Sequence, residues 1–240
     1  MSFSNPTVQN PCTKFYEYKG DTGVFQYYDK EEKKNIPLTT PCYFIVLDEL
    51  STIKGFSDRL NCGIYSNEVH SLNNETLTVR SFKGGMKIVG KYADIKDAIK
   101  GEGGKFTKSI YALRVDDSGE SELINFQLSG AAFQAWMDFT FKQQLHVVCI
   151  TGEKKEGKKG KVTYSIPVFA RYNLKESLVP MAVKMDKVLQ DYFQKRKEQA
   201  YEKEEAATIA PVNDDILADD ATEQNDEVYD NTKTDGDLPF

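Results

Sequence analysis

Nothing in the chain approaches the roughly 20-residue apolar run that a membrane span requires. Its start, Met1-Ser2-Phe3-Ser4-Asn5-Pro6, has neither the charged nor the apolar segment of a secretory signal. A cytoplasmic protein with no membrane partner is expected. Cysteine is sparse: Cys12, Cys42, Cys62 and Cys149 are widely scattered, form no C-x-x-C pair and have only His70 and His146 for company. That spacing argues against a structural zinc and predicts buried, reduced thiols. Neither a phosphate-gripping P-loop nor a zinc-protease motif occurs, and no nucleophile is paired with a base. In Asp116-Asp117-Ser118-Gly119 the two carboxylates read as turn formers between strands rather than as nuclease metal ligands. The sequence therefore suggests no catalytic residue, no metal and no cofactor, and favours a binding protein over an enzyme.

What is present is an uneven distribution of charge. The chain of 240 residues carries a net charge of -6. Residues 207–240 contain ten Asp and Glu against Lys233 alone, a net of -9, so residues 1–206 are mildly basic at +3. A run of like charge with few core-forming residues cannot offset the entropy of ordering, so 207–240 is expected to be a disordered acidic tail. A solubility tail has no reason to end on Leu238-Pro239-Phe240. Pro239 restricts Leu238 to an extended conformation. Phe240 then presents an aromatic ring beside a terminal carboxylate, with Asp235 and Asp237 just upstream. A partner with an apolar pocket ringed by Arg or Lys would bind ring and carboxylate together.

This ending resembles the C-terminal tip of bacterial single-stranded DNA-binding proteins, where aspartates precede isoleucine, proline and a terminal phenylalanine. Leu238 stands for the isoleucine, Pro239 and Phe240 match, Asp235 and Asp237 match in kind, and Gly236 replaces an acid. The chain lacks the long Gly, Pro and Gln-rich linker of the bacterial proteins and has a larger body. It is more similar to bacteriophage members, as is the block from Arg80-Ser81-Phe82-Lys83-Gly84-Gly85 through Lys108-Ser109-Ile110-Tyr111. The resemblance implies a protein that covers single-stranded DNA and recruits replication or recombination proteins through its tip, in the host cytoplasm if phage-encoded. It also implies a tip that competes with DNA for the binding groove.

The body, at 40% hydrophobic and 12% aromatic residues, has enough apolar material to fold. Residues 15–28 read as a hairpin of aromatic-rich strands around Lys19-Gly20-Asp21-Thr22-Gly23, and short strands follow near Tyr43–Leu47, Ile53 and Gly63–Tyr65. Residues 76–92 alternate as one long strand that Gly84-Gly85 would bend. A short helix at 93–100, strands at 105–115 and 121–128, a helix at 130–143 and a last hairpin at 145–151 and 161–171 complete the order. Three strands, a helix and two strands, the first long and bent, is the order of an OB-fold barrel. The expected organisation is a mainly β protein. An N-terminal β extension (1–72) packs on an OB-fold core (73–173), and an amphipathic helix (174–206) and the acidic tail follow.

An OB fold binds nucleic acid with the connections between strands one and two and between strands four and five. Both are basic here: Lys91, Lys96, Lys100 and Lys105 in the first, and Lys154, Lys155, Lys158, Lys159 and Lys161 in the second. With Leu77 and Val79 facing the core, Thr78, Arg80 and Phe82 face outward, the cation and ring that a single strand needs. Lys83, Lys87, Tyr92 and Tyr164 lie close to these segments. On the second strand Phe106, Lys108 and Arg114 share a face while Tyr111 lies opposite, so both faces supply candidates. The bland alternatives are ordinary: lysine runs usually form solvated surface, and strand aromatics usually pack.

Leu178, Met181, Ala182, Met185, Val188, Leu189, Tyr192 and Phe193 recur at helical spacing after Pro180. Such a helix packs on the barrel or makes a subunit contact in a homo-oligomer; periodicity does not choose. Two further readings stay open beside the binding protein. One is a recombination mediator that anneals complementary strands. The other is an inhibitor module whose acidic tail mimics nucleic acid. If the tail lies in the groove, protein ending at Ala206 is predicted to bind oligo-dT more tightly than the full chain at low salt, and equal affinities by fluorescence anisotropy would reject that arrangement.

Overall fold

In the computed structural model the described residues are 8–115, 121–141 and 147–209, with the backbone alone described for 140–141 and 200–209. The turn at Asp116–Gly119 and the acidic tip lie outside them. The strands are β1 (Lys14–Lys19), β2 (Val24–Asp29), β3 (Lys34–Pro37), β4 (Cys42–Ser57), β5 (Cys62–Ser66), β6 (Leu77–Ser81), β7 (Lys87–Gly90), β8 (Gly104–Val115), β9 (Ser121–Leu128), β10 (Val147–Lys159) and β11 (Val162–Tyr172). The helices are α1 (Tyr92–Gly101), α2 (Gly130–Phe141) and α3 (Val179–Ile209), which begins after a 3-10 turn at Glu176–Leu178 and continues three residues into the segment expected as tail. No helix among the described residues is long and apolar enough to cross a membrane.

The eleven strands of the described residues belong to one mixed sheet in the order β3-β2-β1-β9-β8-β4-β5-β6-β7, with β10 and β11 branching from β4. As hydrogen-bonded, the sheet is not closed into a barrel. The β1–β9 pair is parallel, Lys14 opposite Ile124, and the other pairs are antiparallel. β4 is the hub. It pairs with β8 from Tyr43 to Gly55, with a bulge between Val46 and Asp48. On its other side the N-terminal part pairs with β10 and the C-terminal part with β5. The two short strands expected at 43–47 and 53 are thus one strand of 16 residues. Residues 1–72 and 73–173 meet in this single sheet.

Two expectations are corrected. Residues 76–92 are not one bent strand: β6 and β7 form a hairpin, and Gly84 and Gly85, at φ 76° and 79°, make its turn. A Gly-Gly pair supplies positive φ equally well for a bulge or a turn. Residues 152–160 are not a loop either. After a register shift between Ile150 and Lys154, β10 and β11 pair onward from Lys154 opposite Pro167 to Lys159 opposite Val162.

The core forms on both faces of the sheet. One face buries Tyr16, Phe25, Phe44, Ile110, Phe126 and Val148 against Trp136 of α2. The other buries Leu50, Tyr111 and Leu123 beneath Leu189 and Tyr192 of α3. A third cluster, Ile53, Leu77 and Val79, is capped by Ile95 and Ile99 of α1. Asp94 in the first turn of α1 and Lys100 in its last complement the helix dipole. A polar clasp adds direction to the docking of α3: Glu68 accepts from Tyr111 Oη at 2.8 Å and from Arg196 Nη1 at 2.7 Å, and Gln190 donates to Asp48 at 3.1 Å. All four cysteines are buried and unbridged, and burial pushes the Cys12 thiol up to about 12 and the Cys42 thiol to about 11. Leu189 of α3 is fully buried against the sheet. Leu189→Ala is predicted to cost about 2–5 kcal/mol, read as a lower urea midpoint with an unchanged slope.

Candidate nucleic-acid interface

Directly opposed residues on neighbouring strands share a face of the sheet. Five strands are in register so that Lys105 opposes Lys54, Lys54 opposes Tyr65, Tyr65 opposes Arg80 and Arg80 opposes Lys87. The result is one row across β8, β4, β5, β6 and β7 carrying four cations and a ring. Neighbouring strands lie about 4.8 Å apart, so the row spans about 19 Å. The opposite face of the same strands is buried at Ile53, Ile64, Val79 and Ser81, with Ile53 and Val79 packed against Ile95 and Ile99 of α1. Lys105, Arg80 and Lys87 are exposed and make no ion pair among the described residues.

Like charges placed directly opposite each other weaken a sheet by tenths of a kcal/mol up to about 1 kcal/mol per pair. Two such pairs, Lys54–Lys105 and Arg80–Lys87, sit in this one row. Glu17 already offsets the charge of Lys54, whereas the Arg80–Lys87 pair has no carboxylate partner among the described residues and an anionic ligand would relieve it. Such conflict between local stability and sequence is what a binding surface tolerates.

The ring in the row has a second ring on it. Tyr65 and Phe82 stack with centroids 4.6 Å apart and planes 27° from parallel. Phe82 nevertheless remains 65% exposed. Its seat is Gly63: a Cβ there would come within 2.8 Å of Phe82 Cδ2 and 2.9 Å of Cε2, so the ring lies over bare backbone. Phe82 N donates to Gly63 O at 3.0 Å and holds the ring's own backbone in place. The hairpin of β10 and β11 repeats the device. Tyr164 lies opposite Gly157, over the position its Cβ would take, and Lys155 and Lys159 flank that glycine on the same face.

The row continues toward β1 through an acid. Lys54 Nζ lies 2.6 Å from Glu17 Oε1 and also donates to Gln127 Oε1, while Lys19 Nζ is 3.5 Å from Glu17 Oε2. Burial opposes ionisation of Glu17, but the Lys54 ammonium outweighs it with help from Lys19, and the carboxyl is held below its ordinary value of 4.5. Past β1, Ser165 N donates to Gly20 O at 2.7 Å and Lys154 Nζ to Thr22 O at 2.7 Å. The β1–β2 turn is thereby tied to the β10–β11 hairpin.

The expected site residues fall into three groups. Arg80, Phe82, Lys87 and Lys105 come together on the exposed row, and Lys83 is close by with its Nζ 3.3 Å from Asn61 O. Lys154, Lys155, Lys158 and Lys159 lie on β10 rather than in a loop, with Lys161 and Gly160 at the turn; Lys155 also lines a cavity with Phe139, Ile166 and Phe169. Lys91 is the exposed residue before α1. The third group is corrected. Tyr111 is buried beneath α3 with its ring edge-on to Phe193. Phe106 packs between Tyr92 and Phe133, so the half-buried rings of Phe106 and Tyr92 lie with the cluster under α1, on the face away from the row. Lys108 and Arg114 turn to the α2 side of the sheet, Lys108 lying 3.4 Å from Glu49 and Arg114 half-buried opposite Phe44. Asp235, Asp237, Leu238, Pro239 and Phe240 lie outside the described residues.

Lys54 and Tyr65 were missed by sequence reasoning. Tyr65 had a local signal, since strand alternation with Ile64 in the core leaves it outside. Lys54 had the same signal beside Ile53, but its opposition to Lys105 depends on strand pairing and had none. No family model, curated protein or solved structure matches the chain.

Two outcomes are predicted. Gly63→Ala should displace the Phe82 ring, visible as a changed near-ultraviolet circular dichroism spectrum with a far-ultraviolet spectrum that stays the same. Glu17 has a lowered folded pKa, so its stabilisation is complete above 4.5 and is lost as pH falls through the folded value. Glu17→Gln should therefore flatten the acid limb of the urea midpoint plotted against pH, starting below 4.5.

Proposed function

We propose that the protein binds single-stranded DNA without sequence preference on the exposed face of β8, β4, β5, β6 and β7. The observation that carries this reading is the cross-strand row Lys105–Lys54–Tyr65–Arg80–Lys87 with Phe82 stacked on its ring. Stacking of a base on an aromatic ring contributes about 1–3 kcal/mol and is indifferent to which base it is, while lysine and arginine neutralise the phosphates. A strand laid along the row places about five phosphates over its about 19 Å at a stacked rise of 3.4 Å, and fewer if stretched. Duplex DNA keeps its bases paired and offers no π-face to Phe82. The protein acts by covering the strand rather than by catalysis. The acidic tail with its Leu238-Pro239-Phe240 ending brings replication or recombination proteins to the covered strand.

An OB-like arrangement is part of the proposal. β4, β8 and β9 form a meander, α2 follows β9, and the β10–β11 hairpin returns to pair with β4. That is the expected order of elements, with 42–57 in place of 76–92 as the long first strand. In this reading β1 is inserted beside β9 where the fifth strand would close the barrel, and the Ser165–Gly20 hydrogen bond bridges the remaining gap. β5, β6, β7 and α1 are an elaboration of the connection between the first and second barrel strands.

The test is fluorescence anisotropy of labelled oligo-dT titrated with full-length protein, with and without competing duplex. Phe82→Ala is expected to weaken binding by about 1–3 kcal/mol, roughly fivefold to a hundredfold. Arg80→Ala and Lys87→Ala should each weaken binding and reduce the log–log salt slope by about 0.7. Unchanged affinity in all three variants would remove this face from the account.

A further inference from the structure

The cationic face carries a carboxylate in its midst. Glu17 opposes Gln127, which opposes Ser109, which opposes Leu50, so the acid stands on the same face as Lys54 and Lys105. Lys54 spends its ammonium on this acid and on Gln127, reaching away from the phosphate path that Lys105, Arg80 and Lys87 leave open. The Glu17 side chain retains 29% exposure, enough for a competing anion to reach its partner.

We propose that Glu17 is a built-in competitor for the phosphate that Lys54 would otherwise bind, so that a strand gains Lys54 only by displacing the carboxylate. The inference rests on the single-strand reading given above. A lysine that meets a phosphate normally releases a condensed counterion to bulk solvent, and that release is what makes binding salt-dependent. Lys54 has a counterion that cannot leave, because Glu17 is part of the chain. Its transfer to a phosphate exchanges one ion pair for another. The exchange adds neither salt dependence nor much affinity, and it leaves Glu17 to repel the strand and hasten its release. Lys19, 3.5 Å from Glu17, keeps the acid ionised after Lys54 has gone.

Glu17→Gln preserves shape and an acceptor for Lys54 while removing the competing charge. With oligo-dT it is expected to steepen the log–log salt slope by about 0.7, so that its gain in affinity shrinks about 2.6-fold between about 50 and 200 mM salt. The gain should appear mainly as slower dissociation. Lys54→Gln supplies the second arm of a double-mutant cycle. If Glu17 acts by occupying Lys54, the gain from Glu17→Gln largely disappears when Lys54 is already Gln. The same gain in both backgrounds would mean a general field effect and would overturn the proposal, as would an unchanged salt slope.

The unaltered protein provides a check that does not depend on any variant folding. The Glu17 carboxyl carbon, followed by NMR against pH, should titrate below 4.5 in the unliganded protein and move upward with saturating oligo-dT as Lys54 departs. No movement would overturn the proposal. Wild-type protein that fails to bind oligo-dT overturns the single-strand reading and this inference with it; wild-type protein that binds, with the cycle flat, overturns the inference alone.

Discussion

The structure depends on how β4 satisfies its backbone. A strand in the middle of a sheet must find partners on both edges for every N–H and C=O it buries. β4 pairs along one edge with β8 and along the other with β10 at Cys42–Phe44 and β5 at Lys54–Ser57, and between these Ser51 bridges to Val69 and Ile53 N donates to Ser66 Oγ. The bulge between Val46 and Asp48 adds local twist, and the two halves of the strand diverge accordingly. One half contributes Phe44 to the core beneath α2, and the other contributes Ile53 to the core beneath α1. A single covalent strand therefore holds two cores in fixed relation, and the cationic row lies where its second half is flanked by β8 and β5.

The same division explains why α3 covers only part of the outer face. Leu189 and Tyr192 pack over Leu50, Tyr111 and Leu123, and the Glu68–Arg196 contact fastens the helix beside them. Beyond that patch the outer face turns from leucine and tyrosine to Lys54, Lys105, Tyr65 and Arg80, residues that give a helix nothing to bury. An apolar helix face and a row of like charges exclude each other, so the edge of α3 marks the edge of the cationic row.

What the sequence conveyed was mostly local. The alternation of Leu77, Val79 and Ser81 with Thr78, Arg80 and Phe82 reads straight from spacing, because one side of that strand is buried and the other is not. The first hairpin, α2 and α3 were legible for similar reasons. β10 was not legible beyond Ile150, because from Glu153 to Glu156 its own side chains are exposed on both faces; a strand wet on both faces has no period and looks like a charged loop. Lys54 and Lys105 are 51 positions apart and Tyr65 and Arg80 are 15 apart, and no local pattern fixes their opposition. The row is a product of register, which the hydrophobic pattern specifies only after the strands have found one another.

The parallel pairing of β1 with β9 sets the order in which this chain can be completed. Lys14 meets Ile124, a partner 110 residues further along. At about 5–20 residues per second of synthesis, the first strand waits roughly 5–22 s before its neighbour exists. Throughout that interval Phe15, Tyr16, Tyr18, Phe25, Tyr27 and Tyr28 have no sheet to join, and the nascent chain trails an aromatic-rich, unpaired edge of the kind that chaperones hold and that other chains capture. β1 is thus made long before the strand it pairs with, and sequence separation alone puts it among the last strands to find its place.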